Sequence, residues 1–255
     1  MQIAGRDVRT VAKSALQRRH YIAAGNMFRI YKRPGQMFVR YLTGKGTYPC
    51  TVAVRTPLSW LNLRLFTPHD LLTLNEIFCR NDYYADAGDK VIVDFGSNIG
   101  ISAAYFLSRN PEAFAYLFEP LPSNITKLRT NLADFEGRFA LEEVAVGPED
   151  GEVQFGWEET GRYGGVNAQF GNSLTVTCRN SKKVLQEVVD KHGHIDILKV
   201  DIETLEEAVV NDIPVELARK INKIYVEFVF ATNPLAQTHT LSQYGDIAQF
   251  SRKAG

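Results

Sequence analysis

A short glycine-containing turn is the strongest chemical feature of the sequence. It reads DFGSNIG over residues 94–100 and directly follows the apolar run VIV at residues 91–93. Glycine lets the backbone turn tightly and approach a ligand, and the start of a following helix offers free N–H groups. A dinucleotide site would read G-x-G-x-x-G, whereas this turn places the acid Asp94 where a pyrophosphate would be repelled. The turn therefore favours a nucleoside cofactor that carries a positive charge close to this acid. The amino group in the methionine part of S-adenosylmethionine is such a charge.

A second acid, Glu119, stands at the end of the next apolar segment, residues 115–118. A carboxylate at this position can accept hydrogen bonds from both ribose hydroxyls of a bound nucleoside. A glycine turn alone is a weak signal, because structural strand-to-helix turns also use glycine. Two acids at the ends of successive strands make the pattern more specific, and they indicate a nucleoside-cofactor site.

The elements that must position these acids follow from the pattern after residue 88, where short apolar strands alternate with helical segments. Such alternation is typical of parallel β-α-β units. The turn lies between a strand at residues 91–95 and a helix that runs to about residue 109, and Pro122 begins the next helix. Further strands are predicted at residues 115–118, 141–146, 153–155, 174–178, 195–200 and 223–230, and helices at residues 181–191 and 205–212. The pattern predicts one doubly wound α/β domain.

The residues before this domain form a predicted extension of helical and β segments. Residues 1–45 are short helical or irregular pieces interrupted by glycine and proline. Alternating apolar residues near Val52 and Leu63 predict a β-hairpin. Thr67 is a predicted N-cap for a helix that begins at Pro68. We therefore expect an N-terminal extension over residues 1–66 and a catalytic domain over residues 67–255.

The composition is that of an ordinary globular protein, with 45% hydrophobic residues, 23% charged residues and a formal net charge of zero. The first forty residues nevertheless carry nine Lys or Arg against one acid. This excess fits either an anionic partner or, as we favour, a solvated helix face. The three cysteines have no metal-binding spacing and favour a reducing compartment. No apolar run approaches the length of a membrane span, so a cytoplasmic protein is expected, although the Arg-rich start leaves organelle import open.

Six segments between about Thr56 and Phe230 resemble the FkbM-type methyltransferases. They read, in this order, RTPLSWLNLRLFTPHDLLTLNEIFCRNDYY, VIVDFGSNIGISAAYF, FEPLPSNITKLRTNL, EEVAVGPEDGEVQF, IDILKVDIETLEE and IYVEF. The order and spacing of all six make the resemblance specific. It implies a Rossmann-like class I methyltransferase fold, S-adenosylmethionine as methyl donor, and transfer to a hydroxyl of a sugar or small natural product.

The resemblance also implies roles for particular residues. Four residues of the turn would surround the methionine part of the cofactor, namely Asp94, Gly96, Asn98 and Gly100. Glu119 would hold the ribose, and the segment that contains Glu143 and Ala145 would contact the adenine. Ser97 and Pro120 complete the predicted cofactor-binding set.

Catalysis is predicted at the stretch KVDIETLE, which begins at Lys199 and resembles the family's K-x-D-x-E-G-x-E. Thr204 replaces the glycine, so the local turn is expected to differ. Methyl transfer is an in-line displacement that benefits from positioning and from a base near the acceptor hydroxyl. Asp201 is the first candidate base, with Glu203 and then Glu227 behind it, and Lys199 and Glu227 are candidate substrate contacts. Alternatively, these acids pair with Lys199 or cap the next helix.

Two segments remain open to more than one interpretation. The glycine-rich residues 156–171 fit either a substrate lid or a flexible insertion, and Tyr163 within them is a candidate substrate contact. The tail after residue 230 fits either closure over the acceptor site or a surface segment. His192 and His194 fit a helix end better than catalysis, and no metal site is predicted because no histidine or cysteine cluster has the required spacing.

Three functional hypotheses follow. The first is an O-methyltransferase that acts on a sugar or other small hydroxylated metabolite. The second is a methyltransferase of nucleic acid or protein, which the basic N-terminus favours and the absence of an N-P-P-[YF] motif disfavours. The third is a binding or scaffold module without turnover, against which the intact glycine turn and Glu119 argue. A NAD-dependent dehydrogenase is disfavoured because the G-x-G-x-x-G fingerprint is missing.

Overall fold

The computed structural model describes residues 2–3, 6–7, 18–161 and 163–253, and its chain forms two compact units, Met1–Tyr84 and Ala85–Gly255. The strands of the first unit are β1 (Gln2–Ile3), β2 (Arg6–Asp7), β3 (Cys50–Arg55) and β4 (Trp60–Leu65). Its helices are α1 (Arg18–Ile30), α2 (Pro34–Thr43) and α3 (Pro68–Phe78). Strand β1 pairs with β2 and β3 pairs with β4, both antiparallel.

The β3–β4 hairpin and helix α3 confirm the sequence predictions for this region. Buried and exposed residues alternate along β4, with Leu63 fully buried, as expected of a strand with one face in the core. The Thr67 N–H donates to Asp70 Oδ2 (2.9 Å) at the start of α3. This helix contacts α1, α2 and β4, so it groups with the first unit. The boundary expected after residue 66 would separate α3 from these partners.

The second unit contains a seven-stranded main sheet. Its strands are β5 (Val91–Phe95), β6 (Phe114–Phe118), β7 (Phe139–Glu142), β12 (Ile195–Val200), β13 (Ile221–Val226), β14 (His239–Tyr244) and β15 (Ile247–Arg252). Their order is β14-β15-β13-β12-β5-β6-β7. The five strands from β13 to β7 are parallel, and β15 runs antiparallel to both β13 and β14. Because parallel strands end at the same edge, the residues that follow β5, β6, β12 and β13 are brought together.

Helices connect these strands as predicted. They are α4 (Ile101–Leu107), α5 (Pro122–Asn131), α6 (Ser181–His192), α7 (Glu206–Asn211) and α8 (Val215–Ala218), with a 3-10 turn at Ala133–Phe135. Residues of α6, α7 and α8 share one buried apolar cluster with β12 and β13, while α4 contacts β5, β6 and α5. The main sheet and its helices confirm the predicted α/β class with parallel β-α-β units.

A second sheet of four strands corrects the expectation of a single sheet. Its strands are β8 (Ala145–Gly147), β9 (Gly151–Trp157), β10 (Gly164–Val166) and β11 (Asn172–Asn180), in the order β10-β9-β11-β8. The strand predicted at residues 141–146 is wrong, because the chain leaves the main sheet after Glu142 and resumes as β8 in the second sheet. The break falls at Glu142 and Glu143, two successive acids between the apolar residues Leu141 and Val144, and the predicted strand ran through them.

Two regions left open by the sequence are ordered hairpins. Strands β9 and β10 pair as an antiparallel hairpin, and near its tip the Glu158 N–H donates to the Tyr163 carbonyl (3.0 Å). Gly156 is required there, because a Cβ would lie 1.9 Å from the Ala168 carbonyl oxygen. From His239 onward, the tail after residue 230 forms the β14–β15 hairpin at one edge of the main sheet.

The predicted strand at residues 223–230 is also too long, since β13 ends at Val226. Among the described residues, no helix is both long and apolar enough to cross a membrane. The cytoplasmic location expected from the sequence stays a prediction.

Candidate active site

The glycine turn connects β5 to α4, and its shape depends on the neighbouring strands. The N–H groups of Gly96 and Ser97 donate to the Phe118 carbonyl at the end of β6 (3.1 and 3.0 Å). Gly96 has φ +80°, and a Cβ there would lie 1.8 Å from the Asp201 carbonyl oxygen. Glycine is thus needed both for the left-handed backbone and for the close approach of the loop after β12. The turn is fixed before any ligand arrives.

The other residues of the turn have two different roles. Ser97 is buried, and its hydroxyl donates to the Asp94 carbonyl (2.9 Å) while accepting from the Phe118 N–H (3.2 Å). Gly100, with φ +84°, packs against α5, where a Cβ would lie 3.2 Å from Leu128. Both therefore hold the turn in place instead of facing a cleft. Asn98, in contrast, lies at the cleft surface.

Glu119 lies at the centre of the cleft wall and is almost completely buried. Its Oε2 accepts from the Asn98 N–H (2.9 Å), and its Oε1 accepts from the Leu121 N–H (3.0 Å) and from Asn124 Nδ2 (3.3 Å). Burial raises the pKa of Glu119 to about 7, although these hydrogen bonds and the charge of Lys199 act in the opposite direction. The carboxyl group is thus held in one orientation and titrates near neutrality.

The cleft beside Glu119 encloses about 570 Å³, counted together with its open mouth. Its apolar wall comes from both sheets and from the start of α5, and includes Leu121, Val146 and Phe155. The polar lining is supplied by Asn98, Glu119, Asn124, Asp201 and Glu203. A cleft lined by both apolar and polar side chains suits a nucleoside.

Asn124 gives a second sign that the cleft is built for a ligand. Its Nδ2 donates to Glu119 and to the Gly161 carbonyl (2.9 Å), yet its Oδ1 is buried and has no hydrogen-bond partner among the described residues. A buried acceptor without a partner costs about 1–3 kcal/mol. A ligand donor in the cleft would remove that cost, so these residues fit a nucleoside cofactor.

Beneath the turn, Lys199 forms a buried ion-pair cluster with two acids. Lys199 on β12 is the register partner of Asp94 on β5, and its Nζ lies 3.1 Å from Asp94 Oδ1 and 3.1 Å from Asp201 Oδ2. It also donates to the Gly96 carbonyl (2.9 Å). Burial lowers the pKa of Lys199, but Asp201 and Asp94 outweigh it, so the net pKa is raised. Lys199 therefore remains charged and links the glycine turn to the loop after β12.

Asp201 and Glu227 are the first residues after two neighbouring parallel strands, whose last residues Val200 and Val226 are register partners. Their carboxyl groups are hydrogen-bonded to each other, and the pKa of Glu227 is raised, first by the negative charge of Asp201 and then by burial of its carboxyl. Because Glu227 as a whole residue is exposed, charge repulsion by Asp201 is the dominant cause of the raised pKa of Glu227. Glu227 therefore keeps its proton to a higher pH than an isolated carboxylate does.

The loop after β12 has a strained backbone at two successive residues. Glu203 has φ +54° and Thr204 has φ +73°, a region that non-glycine residues seldom adopt. The Thr204 hydroxyl donates to the Val166 carbonyl (3.0 Å), and a Cβ at Gly165 would lie 3.0 Å from Glu203. Contact with β10 thus holds the loop and directs Glu203 to the cleft. Thr204 adopts the conformation suited to glycine, which the family pattern has at this position.

The structure brings some of the predicted site residues together and separates others. Those that line the cleft are Gly96, Asn98, Glu119, Pro120, Ala145, Asp201 and Glu203. Asp94 and Lys199 are buried beneath it, and Ser97 and Gly100 support the turn. Glu143 is exposed in an ion pair with Arg129 (3.0 Å), so it is not part of the lining. Glu227 reaches the site through Asp201, and Tyr163 is a half-exposed residue outside the lining.

Several lining residues were missed by sequence analysis. Asn124 lies on a helix predicted only for its apolar face, and Leu121 precedes that helix. Phe155, Gly161 and Val166 come from the β9–β10 hairpin, which lies far along the sequence from the turn. Only the glycine-rich composition of residues 156–171 could have indicated them.

The histidines lie away from the cleft. His192 is the last residue of α6, and its Nε2 is 2.7 Å from the Tyr116 hydroxyl. His194 Nε2 lies 3.2 Å from Asp196 Oδ1. Over residues 18–161 and 163–253, no group of three or more His, Cys, Asp or Glu side chains is placed to hold a metal ion.

A mainly parallel sheet with an antiparallel terminal hairpin, a glycine turn after β5 and an acid after β6 define the Rossmann-like class I methyltransferase fold. The methyltransferase FkbM domain model matches residues 94–255, which is more than half of the chain. The chain therefore belongs to the FkbM methyltransferase domain family.

Two named relatives have similar segments. AMB antimetabolite synthetase AmbE of Pseudomonas aeruginosa is 29% identical over 150 residues, which are 53% of this chain and 7% of AmbE. The 2-O-methyltransferase NoeI of Sinorhizobium fredii is 37% identical over 67 residues, 26% of this chain and 27% of NoeI. The chain thus matches less than a third of the length of either relative. An O-methyltransferase family protein of Burkholderia thailandensis aligns over 74% of this chain and 57% of its own, with 10% identity and a TM-score of 0.42, which carries no argument about activity.

Proposed function

We propose that this protein is an S-adenosylmethionine-dependent O-methyltransferase that transfers a methyl group to a hydroxyl of a sugar or other small natural product. The observation that carries the proposal is that a buried carboxylate, Glu119, and two further acids, Asp201 and Glu203, line one cleft beside the glycine turn. The family model supports methyl transfer. The name of NoeI, a 2-O-methyltransferase, supports oxygen as the acceptor atom.

The cofactor would contact both the polar and the apolar residues that line the cleft. Glu119 would accept from the ribose hydroxyls, and Asn98 beside it would contact the same end of the cleft. Pro120 and Ala145 would lie near the adenine, together with the apolar residues Leu121 and Phe155. Bound S-adenosylmethionine supplies an electrophilic methyl group on a positively charged sulfur. The acidic side chains that line this cleft would favour that cation.

Asp94 supports this site from below. Its Oδ2 accepts from the Ser102 hydroxyl (2.6 Å), and its Oδ1 faces Lys199, so both oxygens are directed away from the cleft. We infer that Asp94 acts on the cofactor site by holding Lys199, which in turn holds the Gly96 carbonyl and Asp201. Asp94 is in this sense a positioning residue.

Asp201 would act as the general base toward the acceptor hydroxyl. Its side chain is about one quarter exposed, so it is accessible from the cleft, whereas Lys199 is not. As the hydroxyl oxygen attacks the methyl carbon, its proton would pass to Asp201. Glu227 is hydrogen-bonded to Asp201 and would hold its carboxyl group toward the acceptor hydroxyl, and Glu203 would contact the acceptor. Positioning alone accounts for much of the catalysis in such displacements.

The cofactor site is tested by calorimetric titration with S-adenosylmethionine and S-adenosylhomocysteine. We compare Glu119→Gln with Glu143→Gln, which removes the same charge from a nearby exposed acid. Loss of at least about tenfold in affinity is expected for Glu119→Gln, the equivalent of about 1.4 kcal/mol, and a change within about twofold for Glu143→Gln. Equal affinities of both variants with wild type would refute the assigned site, and no binding to folded wild type would refute the proposed cofactor.

Turnover is tested separately with S-adenosylmethionine and a set of hydroxylated sugars and small natural products, with methylated product detected by mass spectrometry. Asp201→Asn is expected to lower kcat by about 10²–10⁴ if it removes a general base, while cofactor affinity changes much less. Tight cofactor binding without turnover on any small hydroxyl acceptor would favour the scaffold hypothesis. Turnover on nucleic acid or protein instead would replace the proposed acceptor class.

A further inference from the structure

A second cavity lies entirely within the first unit, between the start of α2 and the β3–β4 hairpin. It encloses about 890 Å³, counted with its open mouth. Three cationic side chains, Lys32, Arg33 and Arg40, line it, and no Asp or Glu does. Its remaining polar lining is neutral, from Gln36, Thr51 and Asn62. The cavity therefore offers several hydrogen-bond donors and an uncompensated positive charge.

The first unit as a whole is strongly basic. Residues 1–84 contain thirteen Lys or Arg and four Asp or Glu. Of its four acids, Asp7 has its side chain outside the described part of the structure, and the other three have partners elsewhere. Asp70 accepts from the Phe66 and Thr67 N–H groups at the start of α3, and Glu76 and Asp82 pair with Arg80. The charge of Asp70 still acts on Cys50 in the cavity wall, but none of these three acids forms an ion pair with Lys32, Arg33 or Arg40.

Arg40 is already held in place in this cavity. Its Nη1 donates to the Thr47 carbonyl (3.2 Å) and to Cys50 Sγ (3.1 Å), and its guanidinium lies 5.4 Å from the centre of the Tyr48 ring. A Cβ at Gly46 would lie 2.9 Å from Arg40 Nη1, so the glycine leaves room for the guanidinium. A cation that is ordered beforehand loses less entropy when it binds an anion.

We propose that this cavity binds a phosphoryl group, as a phosphate or diphosphate on a small ligand. The planar guanidinium group can donate to two phosphate oxygens at once, and lysine adds a compact charge. The neutral donors Gln36 and Asn62 complete a set that recognises oxygen anions. Buried apolar residues, Met37 and Val52, form part of the wall and bring these donors to a common surface. This site is distinct from the cleft beside Glu119 and does not depend on the activity proposed for it.

The test uses the full-length protein and inorganic pyrophosphate as probe, by calorimetry at low and physiological salt. Lys32→Gln/Arg33→Gln removes two exposed cations of the cavity. Lys45→Gln/Arg55→Gln removes two exposed cations of the same unit that do not line it, so both double variants change the net charge equally. We expect at least about tenfold weaker pyrophosphate binding in the first variant and a change within about twofold in the second.

Gly46→Ala provides a charge-neutral check, because it displaces the Arg40 guanidinium without removing a cation. We expect it to weaken pyrophosphate binding several-fold while the thermal unfolding of the protein stays close to wild type. Equal losses in both double variants, with no effect of Gly46→Ala, would show diffuse electrostatic attraction and overturn the proposed site. Absence of pyrophosphate binding to wild type would overturn it as well.

The source of the phosphoryl group is decided with vesicles. Phosphatidylcholine vesicles with and without phosphatidic acid are sedimented with the protein, in the presence and absence of pyrophosphate. Binding that needs phosphatidic acid and is displaced by pyrophosphate assigns the cavity to a lipid headgroup. Pyrophosphate binding without vesicle binding assigns it to a soluble phosphorylated ligand. Both results support a phosphoryl site.

Discussion

Cofactor affinity should depend on pH through Glu119. The carboxyl group is buried, and its pKa is raised to about 7, so a modest change of pH around neutrality alters its charge. Ribose hydroxyls donate most strongly to the ionised form. If only that form binds, the apparent Kd scales with 1 + 10^(pKa − pH), and affinity falls about tenfold between about pH 8 and about pH 6.

The assay is calorimetric titration of S-adenosylhomocysteine, which avoids turnover, at several pH values across that range. Glu119→Gln should bind more weakly at all pH values and should flatten the profile. Its amide nitrogen would face the Asn98 N–H, so circular dichroism must show an intact fold. The pKa of Glu227 is also raised, by the charge of Asp201 and by burial, so any pH dependence of affinity that remains in Glu119→Gln is assigned to Glu227.

The same pKa fixes the sign of a stability effect. Glu119 has a folded-state pKa of about 7 against an ordinary value of 4.5, so the native state binds more protons than the unfolded state between these values. Its contribution to the free energy of unfolding is therefore fully present below that window and is lost as pH rises through about 7. An affinity for S-adenosylhomocysteine that is constant from pH 6 to pH 8 in the wild type would refute the reasoning.

Three further substitutions test the framework of the site by urea unfolding. Gly96→Ala should lower the free energy of unfolding by more than the ~1–2 kcal/mol that a left-handed backbone costs a residue with a side chain, because the new Cβ also meets the Asp201 carbonyl. The control Gly88→Ala, whose Cβ would have nothing within 4 Å, should change the free energy of unfolding little. Similar effects of the two substitutions would contradict the close approach of the Asp201 carbonyl to Gly96. Lys199→Met should cost about 3–5 kcal/mol, because it leaves the fully buried Asp94 and the partly exposed Asp201 without their cation. A loss under about 1 kcal/mol would show that the ion pairs are unimportant. Thr204→Val removes the hydroxyl that donates to the Val166 carbonyl of β10 and should lower the free energy of unfolding by about 1 kcal/mol. Thr204→Gly removes the same hydroxyl but also relieves the backbone strain, so it should lower the free energy of unfolding by less. A larger loss for Thr204→Gly than for Thr204→Val would show that the positive φ carries no strain.

The local signals were reliable where one segment decided the outcome. Strand Val91–Phe95 and the start of α5 at Pro122 were predicted correctly, because the apolar run and the proline act within a few residues. The predicted strand at residues 141–146 failed, because its two halves pair with different partners, β6 and β11. Apolar character alone does not specify the partner of a strand.

The site likewise has features that a local sequence pattern specifies and features that depend on tertiary pairing. The sequence by itself determined that a glycine turn, Glu119 and Asp201 follow the ends of strands, and parallel strands necessarily end at one edge of a sheet. Only the tertiary structure decided which of the acids reach the cleft. Register sets Lys199 opposite Asp94 and withdraws both from the surface, while Glu143 points into an exposed ion pair. The second sheet then supplies the wall that contains Phe155. These outcomes depend on pairing between residues far apart in sequence, which no local pattern specifies.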